Sequence, residues 1–113
     1  MFQILHPDDQ RRGAIAAVAF EGEPYGADVS FFLGDLLPGS GPGSHQHPYA
    51  ETCIVRSGRV AMTLDGEEAI AAAGDIVVIG PGTPHRFTAI GDERLEMICI
   101  HASGRFIIDW LGA

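Results

Sequence analysis

Glycine and proline are spread along the whole chain, and this distribution is the strongest constraint on its fold. The 113 residues include 15 glycines and 7 prolines, and these are not gathered into one linker. Both residue types interrupt helices and strands, so the chain is divided into short segments. A sequence divided in this way is typical of an all-β domain with short strands and tight turns.

Six segments between these turns have the composition of β-strands. Their spacing of roughly 8–12 residues predicts a sandwich or a barrel. Asp65-Gly66 is a strong signal for a two-residue hairpin turn, and Gly91-Asp92 predicts another hairpin, between the last two of these strands. The predicted strands cover residues 49–56, 59–64, 67–71, 76–79, 85–90 and 94–101.

Three other segments give more specific expectations. Residues 76–79 form a continuous apolar run, which predicts a strand covered on both faces. Residues 14–20 are rich in alanine and fit a helix or a strand, with the β context favouring a strand. At residues 106–111, Phe106 and Trp110 are spaced i, i+4, as are Ile107 and Leu111, so we predict a short packed C-terminal helix.

Length and charge limit the classes of partner. A chain of 113 residues predicts a single domain over residues 1–113. Its formal charge of −8 argues against nucleic acid, because binding a polyanion depends on basic side chains that neutralise phosphates. The same charge disfavours an anionic membrane surface. We therefore expect neither nucleic acid nor a membrane as a partner.

The basic residues and cysteines exclude further chemistries. Every basic residue is an arginine, so a lysine Schiff base and a P-loop lysine are excluded. No segment approaches the roughly 18 apolar residues of a membrane span, and the N-terminus lacks the basic start of a secretory signal. Cys53 and Cys99 both lie in apolar runs, which predicts reduced thiols in a cytoplasmic protein.

Three residues near a Pro/Gly loop have the spacing of metal ligands on a strand. His45, His47 and Glu51 are separated by even numbers of residues, so on a strand their side chains project to one face. In a helix, residues i and i+2 point in nearly opposite directions. Two imidazoles and a carboxylate on one face suit a divalent metal ion. His85 starts a later strand and is a candidate third imidazole.

The alternative is that these are ordinary polar residues on a solvated face. The same face continues as Cys53 and Val55, which are apolar and are expected to point inward. A carboxylate in such an interior is costly unless it is paired or bound to a metal. The pattern therefore favours a metal site.

The sequence resembles the cupin superfamily at two motifs. Gly39-x5-His45-x-His47-x3-Glu51-x6-Gly58 matches the first cupin motif at every fixed position, and 74–85, ending in Pro81-Gly82-x-x-His85, matches most of the second. Gly80 and Ala89 depart from the residues often found there, but neither position supplies a ligand. The resemblance implies a double-stranded β-helix, or jelly-roll barrel, with a metal held by His45, His47, Glu51 and His85.

Other residues are candidates for the surroundings of this site. His101 ends a strand whose odd positions are expected to face inward. It is either a catalytic proton carrier, a pocket wall or a group that supports the metal ligands, or else a strand-end histidine bonded to backbone. Cys53 and Cys99 are expected to be core residues and not nucleophiles. The predicted lining of a substrate pocket is Tyr49, Cys53, Val55, Phe87, Met97 and Cys99.

Two classes of function fit this site. Four protein ligands leave about two positions open on a six-coordinate ion, which predicts a metal-dependent enzyme for oxygenation, isomerisation or cyclisation of a small organic molecule. The alternative is a non-catalytic module that binds or senses a small molecule or a metal. The ligand set suits Fe, Mn, Ni, Cu or Zn. Because cupins commonly pair, and because residues 76–79 with Ile98 and Ile100 suggest an apolar sheet surface, we expect a homodimer.

Overall fold

A computed structural model describes residues 1–13 and 18–112. Within them the regular structure is β-strand, with two 3-10 turns at Pro7–Asp9 and Glu23–Tyr25. No helix in these two ranges is long and apolar enough to cross a membrane. The strands are β1 Arg11–Arg12, β2 Val18–Glu21, β3 Ser30–Leu36, β4 His45–Gln46, β5 Glu51–Ser57, β6 Arg59–Leu64, β7 Glu67–Ala72, β8 Ile76–Ile79, β9 His85–Ile90, β10 Leu95–His101 and β11 Asp109–Trp110.

The strands form two antiparallel sheets. One has six strands in the order β1-β2-β3-β10-β5-β8, and the other has five in the order β11-β4-β9-β6-β7. Buried side chains from both sheets form one apolar cluster, so the sheets face each other around a shared core. The all-β prediction is confirmed.

Period-2 alternation decides which side chains enter this core. On β5, Glu51, Cys53 and Val55 are buried, whereas the residues between them are only half-buried. The odd positions of β10 are buried in the same way. This is the alternation expected for a strand with one face on a core, and it is the face that the sequence pattern selected.

Of the two turns predicted to form hairpins, one does and the other does not. Asp65 and Gly66 have positive φ angles of 49° and 82° and connect the paired strands β6 and β7, as a type I′ turn requires. The turn at Gly91-Asp92 does not make a hairpin, because β9 pairs with β4 and β6 in one sheet while β10 pairs with β3 and β5 in the other. It crosses between the sheets, since the two strands contribute to opposite walls of the core.

The prediction that residues 76–79 are covered on both faces is wrong. β8 lies at the edge of the six-stranded sheet. Ile79 is buried, whereas Ile76 and Val78 are 65% and 68% exposed. An apolar run alone does not distinguish a central strand from an edge strand with one bare apolar face.

The prediction of a C-terminal helix is also wrong. Asp109 and Trp110 form β11, which pairs with Gln46 and His45 of β4, and the amide of Leu111 donates to the carbonyl of Ser44. These cross-strand hydrogen bonds satisfy the backbone groups that helical bonds would otherwise satisfy. The segment is therefore extended, despite the i, i+4 spacing of its apolar residues. Of the alanine-rich segment, Val18–Glu21 belongs to β2, as expected for a strand, and residues 14–17 lie outside the described ranges.

Candidate metal centre

The four predicted ligands meet at one end of the space between the sheets. His45 on β4 and His85 at the start of β9 are direct register partners in the five-stranded sheet. Glu51 begins β5 in the opposite sheet, and His47 lies in the short connection between β4 and β5. All four are buried, with exposed fractions of 2–6%. The loop-and-strand order of the first motif thus brings side chains from both sheets to one point.

The ligand atoms of these side chains are close enough to share one ion. One such atom from each of the four residues lies within 4.8 Å of those from the others. Oε1 of Glu51 is 3.0 Å from Nε2 of His47 and 3.2 Å from Nε2 of His85. The cluster could therefore bind a metal.

Three backbone carbonyls fix the imidazoles in the tautomer that a metal needs. In each ring Nδ1 lies within hydrogen-bond distance of a carbonyl oxygen, and because a carbonyl can only accept, Nδ1 must hold the proton. The neutral ring then presents the lone pair of Nε2, as metal-bound histidines do. The acceptors are the carbonyls of Gly43, Ile107 and Thr83, at 2.7, 2.8 and 2.8 Å from Nδ1 of His45, His47 and His85.

This arrangement requires a positive charge at its centre. With Nδ1 protonated, a neutral His47 or His85 would place a nitrogen lone pair against the carboxylate of Glu51, which is repulsive. Nε2 of His47 is buried and makes no hydrogen bond among residues 1–13 and 18–112, even though it lies 3.0 Å from Oε1 of Glu51. Either an additional proton or a metal cation between these atoms removes the repulsion, so the donor set fits a divalent ion.

The direction of the pKa shifts is consistent with a cluster that attracts positive charge. Burial opposes ionisation of Glu51, but its contacts with His47 and His85 outweigh burial and lower its pKa, so it is a carboxylate at neutral pH. Burial also opposes protonation of His85, whereas hydrogen bonding to Glu51 raises its pKa overall. Burial lowers the pKa of His45, which keeps that imidazole neutral.

His101 is the fifth polar group of the cluster. It ends β10 as the register partner of Glu51, and its Nε2 is 3.6 Å from Oε2 of that carboxylate. Its Nδ1 is 2.7 Å from the hydroxyl of Tyr49. Burial lowers the pKa of His101 to about 4. The ring is therefore neutral at pH 7 and lies beside the candidate ligands.

The C-terminal segment 106–111, which we call the strap, is the part of the site that sequence analysis missed. Its Ile107 carbonyl holds His47, and its Ile107 amide donates to the hydroxyl of Tyr49 at 3.1 Å. The ring of Trp110 lies 5.0 Å from that of His45. The sequence did contain a signal for an extended segment: Phe106, Ile108 and Trp110 are apolar residues at alternate positions. This alternation fits a strand as well as the i, i+4 pairs fit a helix.

A cavity of about 350 Å³ adjoins the metal-ligand cluster. Of the predicted pocket residues, Phe87, Met97 and Cys99 line it. Cys53 and Val55 do not; they are fully buried in the apolar core between the sheets. Tyr49 is not among the lining residues and contacts His101 instead. His101 itself lines the cavity, together with His45, His47 and Glu51.

The two cysteines lie opposite each other on β5 and β10. The thiol of Cys53 donates to Oε2 of Glu51 at 3.4 Å. Its interaction with Cys99 and its burial both raise the pKa of Cys53, so it is a neutral thiol at physiological pH. A buried, protonated thiol is a poor nucleophile.

Comparison with known families agrees with this geometry. A family model described as "Cupin domain" matches residues 32–101, more than half of the chain. The chain belongs to the cupin family. The matched range begins in β3 and ends at His101, so it includes strands of both sheets and every polar group of the cluster.

Two curated relatives match over part of their length. The cupin is 32% identical over 92 residues to the polyketide synthase CurC of Streptomyces cyaneus, covering 80% of this chain and 60% of that protein. It is 38% identical over 56 residues to an uncharacterized protein of Methanocaldococcus jannaschii, covering 49% of this chain and 45% of that one. The chain thus spans about half to three-fifths of the relatives it matches.

Solved structures support the fold. The oxalate decarboxylase of Lactobacillus farciminis, solved as a formate complex, superposes with a TM-score of 0.81 at 20% identity, covering 94% of this chain and 35% of that chain. A likeness at this level of identity establishes the architecture alone. The jelly-roll prediction is confirmed by it.

Proposed function

We propose that this cupin is a metal-dependent enzyme that acts on a small organic molecule bound through oxygen atoms beside the metal. One observation supports the proposal above the others: three carbonyls hold the imidazoles of His45, His47 and His85 with the proton on Nδ1, and Nε2 of both His47 and His85 lies within 3.2 Å of the Glu51 carboxylate. A metal cation bound between these atoms would remove the repulsion between the Nε2 lone pairs and the carboxylate.

The four residues would hold Fe, Mn, Ni, Cu or Zn as a divalent ion. When bound, such an ion supplies a Lewis acid with open positions for a substrate oxygen, water or dioxygen. Three neutral imidazoles and one carboxylate leave a dication with a single net positive charge. In a protein with a formal charge of −8, that local positive charge favours an anionic or enolisable oxygen ligand.

We propose that His101 and Tyr49 hold a proton next to the bound molecule. If the Tyr49 hydroxyl donates to Nδ1 of His101, the ring has its proton on Nε2, which faces the cluster 3.6 Å from Oε2 of Glu51. An N–H in this position donates to an oxygen on which negative charge develops, as general acids and oxyanion donors do. We assign His101 as the candidate catalytic residue and Tyr49 as the residue that orients it.

The reaction would be oxygenation, isomerisation or cyclisation. Each of these begins with a small molecule whose oxygen is polarised and whose adjacent carbon or hydrogen becomes reactive. The similarity to the protein named polyketide synthase CurC favours a substrate with several carbonyl or enol groups over one without them.

The test is elemental analysis of untagged protein, followed by mass spectrometry of any co-purifying small molecule and by turnover assays on the metal-loaded protein. We expect about one transition-metal ion per chain and conversion of an enolisable compound. Protein that takes up no transition metal under any loading condition would refute the proposal.

A non-catalytic binding module is the second candidate. It is favoured by the apolar character of the cavity, since beyond the cluster the described lining offers few groups able to move protons. Recovery of a bound ligand chemically unchanged after long incubation with metal-loaded protein would support this reading over an enzyme.

A homodimer is proposed from the exposed face of β8. Ile76 and Val78 are about two-thirds exposed on an edge strand, and covering such a surface removes apolar area from water. Light scattering should give twice the chain mass, and a combined Ile76→Thr and Val78→Thr variant should shift the mass toward the monomer. A monomeric wild-type protein at micromolar concentration would contradict this assembly.

A further inference from the structure

The strap lines one side of the cavity with alternate side chains, of which Trp110 is 59% exposed. Phe106, Ile108 and Trp110 line the cavity, while Ile107 between them is engaged through its backbone with His47 and Tyr49. The strap therefore has two distinct sides. Its backbone supports the metal-ligand cluster, and its alternate side chains present an apolar surface to whatever the cavity holds.

The rest of the cavity divides into a polar end and an apolar body. Within the described lining, the polar side chains at the interior end are the histidines and Glu51 of the cluster. The remaining interior walls are apolar and include Phe32, Leu36 and Met97. Phe32 stacks on Phe106 with ring centroids 4.1 Å apart, which joins the strap wall to β3.

The other charged groups lie at the rim. Arg11 and Arg12 also line the cavity, but both are exposed. The guanidinium of Arg11 already pairs with Glu21 at 3.1 Å. A second anionic group of a ligand, placed in the cavity body, would have no buried cation beside it there, and burying an unpaired carboxylate is costly.

The volume of the cavity limits the size of the ligand that it can hold. Water occupies about 30 Å³ per molecule in the liquid, so a cavity of about 350 Å³ holds roughly a dozen non-hydrogen atoms. That is larger than a small dicarboxylate would fill, and the surplus volume is surrounded by apolar side chains.

We propose that the cavity selects an oxygen chelate with an apolar body, such as the enolate of a β-dicarbonyl compound with an aromatic or alkyl substituent, and that Phe106, Ile108 and Trp110 determine this specificity. The inference rests on the proposed function, because the two oxygens would take the two open positions on the metal. The apolar substituent would then lie along the strap wall.

The probes are two β-diketones that differ in one substituent. Acetylacetone and benzoylacetone present the same pair of oxygens, but the second has a phenyl group in place of a methyl. Isothermal titration calorimetry on nickel-loaded, desalted protein should give a dissociation constant at least tenfold smaller for benzoylacetone than for acetylacetone. Oxalate, a small dianion without an apolar body, should bind more weakly than benzoylacetone.

Variants in the strap test the assignment of specificity. Trp110→Ala should reduce the preference for benzoylacetone to less than threefold, and Ile108→Ala should reduce it in the same direction. Leu111→Ala is the matched control, since Leu111 is the next strap residue and is not among the lining residues. It should retain the wild-type preference.

Nickel content measured on the same sample distinguishes failure of the specificity inference from failure of the proposed metal-dependent function. Full nickel occupancy with equal affinity for both diketones, or with oxalate as the tightest ligand, would overturn the inference and leave the proposed function standing. If nickel is not retained, the same titrations are made with whichever of Fe, Mn, Cu or Zn is retained, and protein that retains none of the five metals would overturn both. An unchanged preference in both strap variants would also overturn the assignment of specificity to the strap.

Discussion

The carbonyl oxygen of Ile107 accepts a hydrogen bond from Nδ1 of His47 at 2.8 Å, across a separation of 60 positions in the chain. This bond fixes the tautomer of a candidate metal ligand from a segment outside both sequence motifs. Partners of this kind typically change metal affinity by about 10- to 100-fold when they are lost. The strap is therefore part of the candidate metal centre, even though its side chains supply none of the candidate ligands.

Replacement of Tyr49 by phenylalanine should weaken the connection between the strap and the cluster. The variant loses the acceptor for the Ile107 amide and leaves Nδ1 of the buried His101 without its partner. A buried polar group left unpaired costs about 1–3 kcal/mol, so we expect the free energy of unfolding to fall by that amount in urea titrations. Tyr25→Phe is the control, because Tyr25 is the other tyrosine and lies on the surface; an equal loss in both variants would contradict the assigned role.

Replacement of His85 by alanine should remove most bound metal and leave the fold intact. His85 supplies an imidazole at the centre of the cluster, and three remaining ligands bind a divalent ion less tightly. Metal retained after desalting, measured by elemental analysis, should fall at least tenfold, while the far-ultraviolet circular dichroism stays that of a β protein. The control is His6→Ala, which changes an exposed histidine. Unchanged metal content in His85→Ala would rule His85 out as a ligand.

Gly41 is required by the close approach of its loop to β9. An added Cβ would overlap the carbonyl oxygen of Phe87 and lie 2.8 Å from its carbonyl carbon, and backbone atoms cannot move aside as a flexible side chain can. Overpacking of this kind costs about 1–3 kcal/mol. We expect Gly41→Ala to lower the thermal midpoint by several degrees and to weaken metal binding, because the same loop leads directly into His45.

Gly43 provides the matched comparison for that loop. A Cβ at Gly43 meets no atom within 4 Å in the described structure, so Gly43→Ala should change stability by less than about 0.5 kcal/mol. Equal destabilisation by the two alanine substitutions would show that loop flexibility, and not the contact with Phe87, is what the glycines provide.

The metal-free protein should lose stability as the pH falls below neutrality, in part because of His101. Its pKa is about 4 in the folded protein, lowered from 6.5 by burial. Between pH 6.5 and pH 4, His101 is therefore protonated in the unfolded chain but mostly neutral in the folded protein. The stabilisation is complete above pH 6.5 and is lost as the pH falls toward 4. At about 1.4 kcal/mol per pKa unit, the loss by pH 4.5 is roughly 2 kcal/mol.

The measurement is urea unfolding of wild type and His101→Gln, both freed of metal with a chelator, at pH 7 and pH 4.5. The glutamine side chain does not titrate, so the decrease in unfolding free energy between the two pH values should be smaller in the variant. Identical decreases would mean that His101 does not contribute to the acid sensitivity.

The residues near the two motifs could be predicted because their information is local. The even spacing of His45, His47 and Glu51 selects one face whatever sheet the strand joins, and Cys53 and Val55 show that this face is buried. Asp65-Gly66 likewise specifies its own turn, since its positive φ angles are a property of two adjacent residues.

The misassigned segments depended on neighbours that are distant in sequence. The apolar residues 76–79 make either a central or an edge strand, and the choice depends on how many strands the sheet has beyond β5. The turn at Gly91-Asp92 has the composition of a hairpin, yet it crosses between sheets because β9 and β10 pair with different strands. The spacing of apolar residues in 106–111 suits a helix and a strand equally, and pairing with β4 makes the segment a strand.

The amino-acid sequence by itself determined the all-β architecture, the set of four candidate ligands and the inward face of the strands that contain Glu51 and His101, because turn chemistry and period-2 alternation act between residues close in the chain. Only the tertiary structure decided that alternate residues of segment 106–111 line the cavity, that Ile107 fixes the tautomer of His47, and that Tyr49 joins His101 to this segment. Those relationships are single hydrogen bonds between segments about 50 to 60 positions apart, whose partners are set by the packing of the two sheets and not by any local preference of the chain.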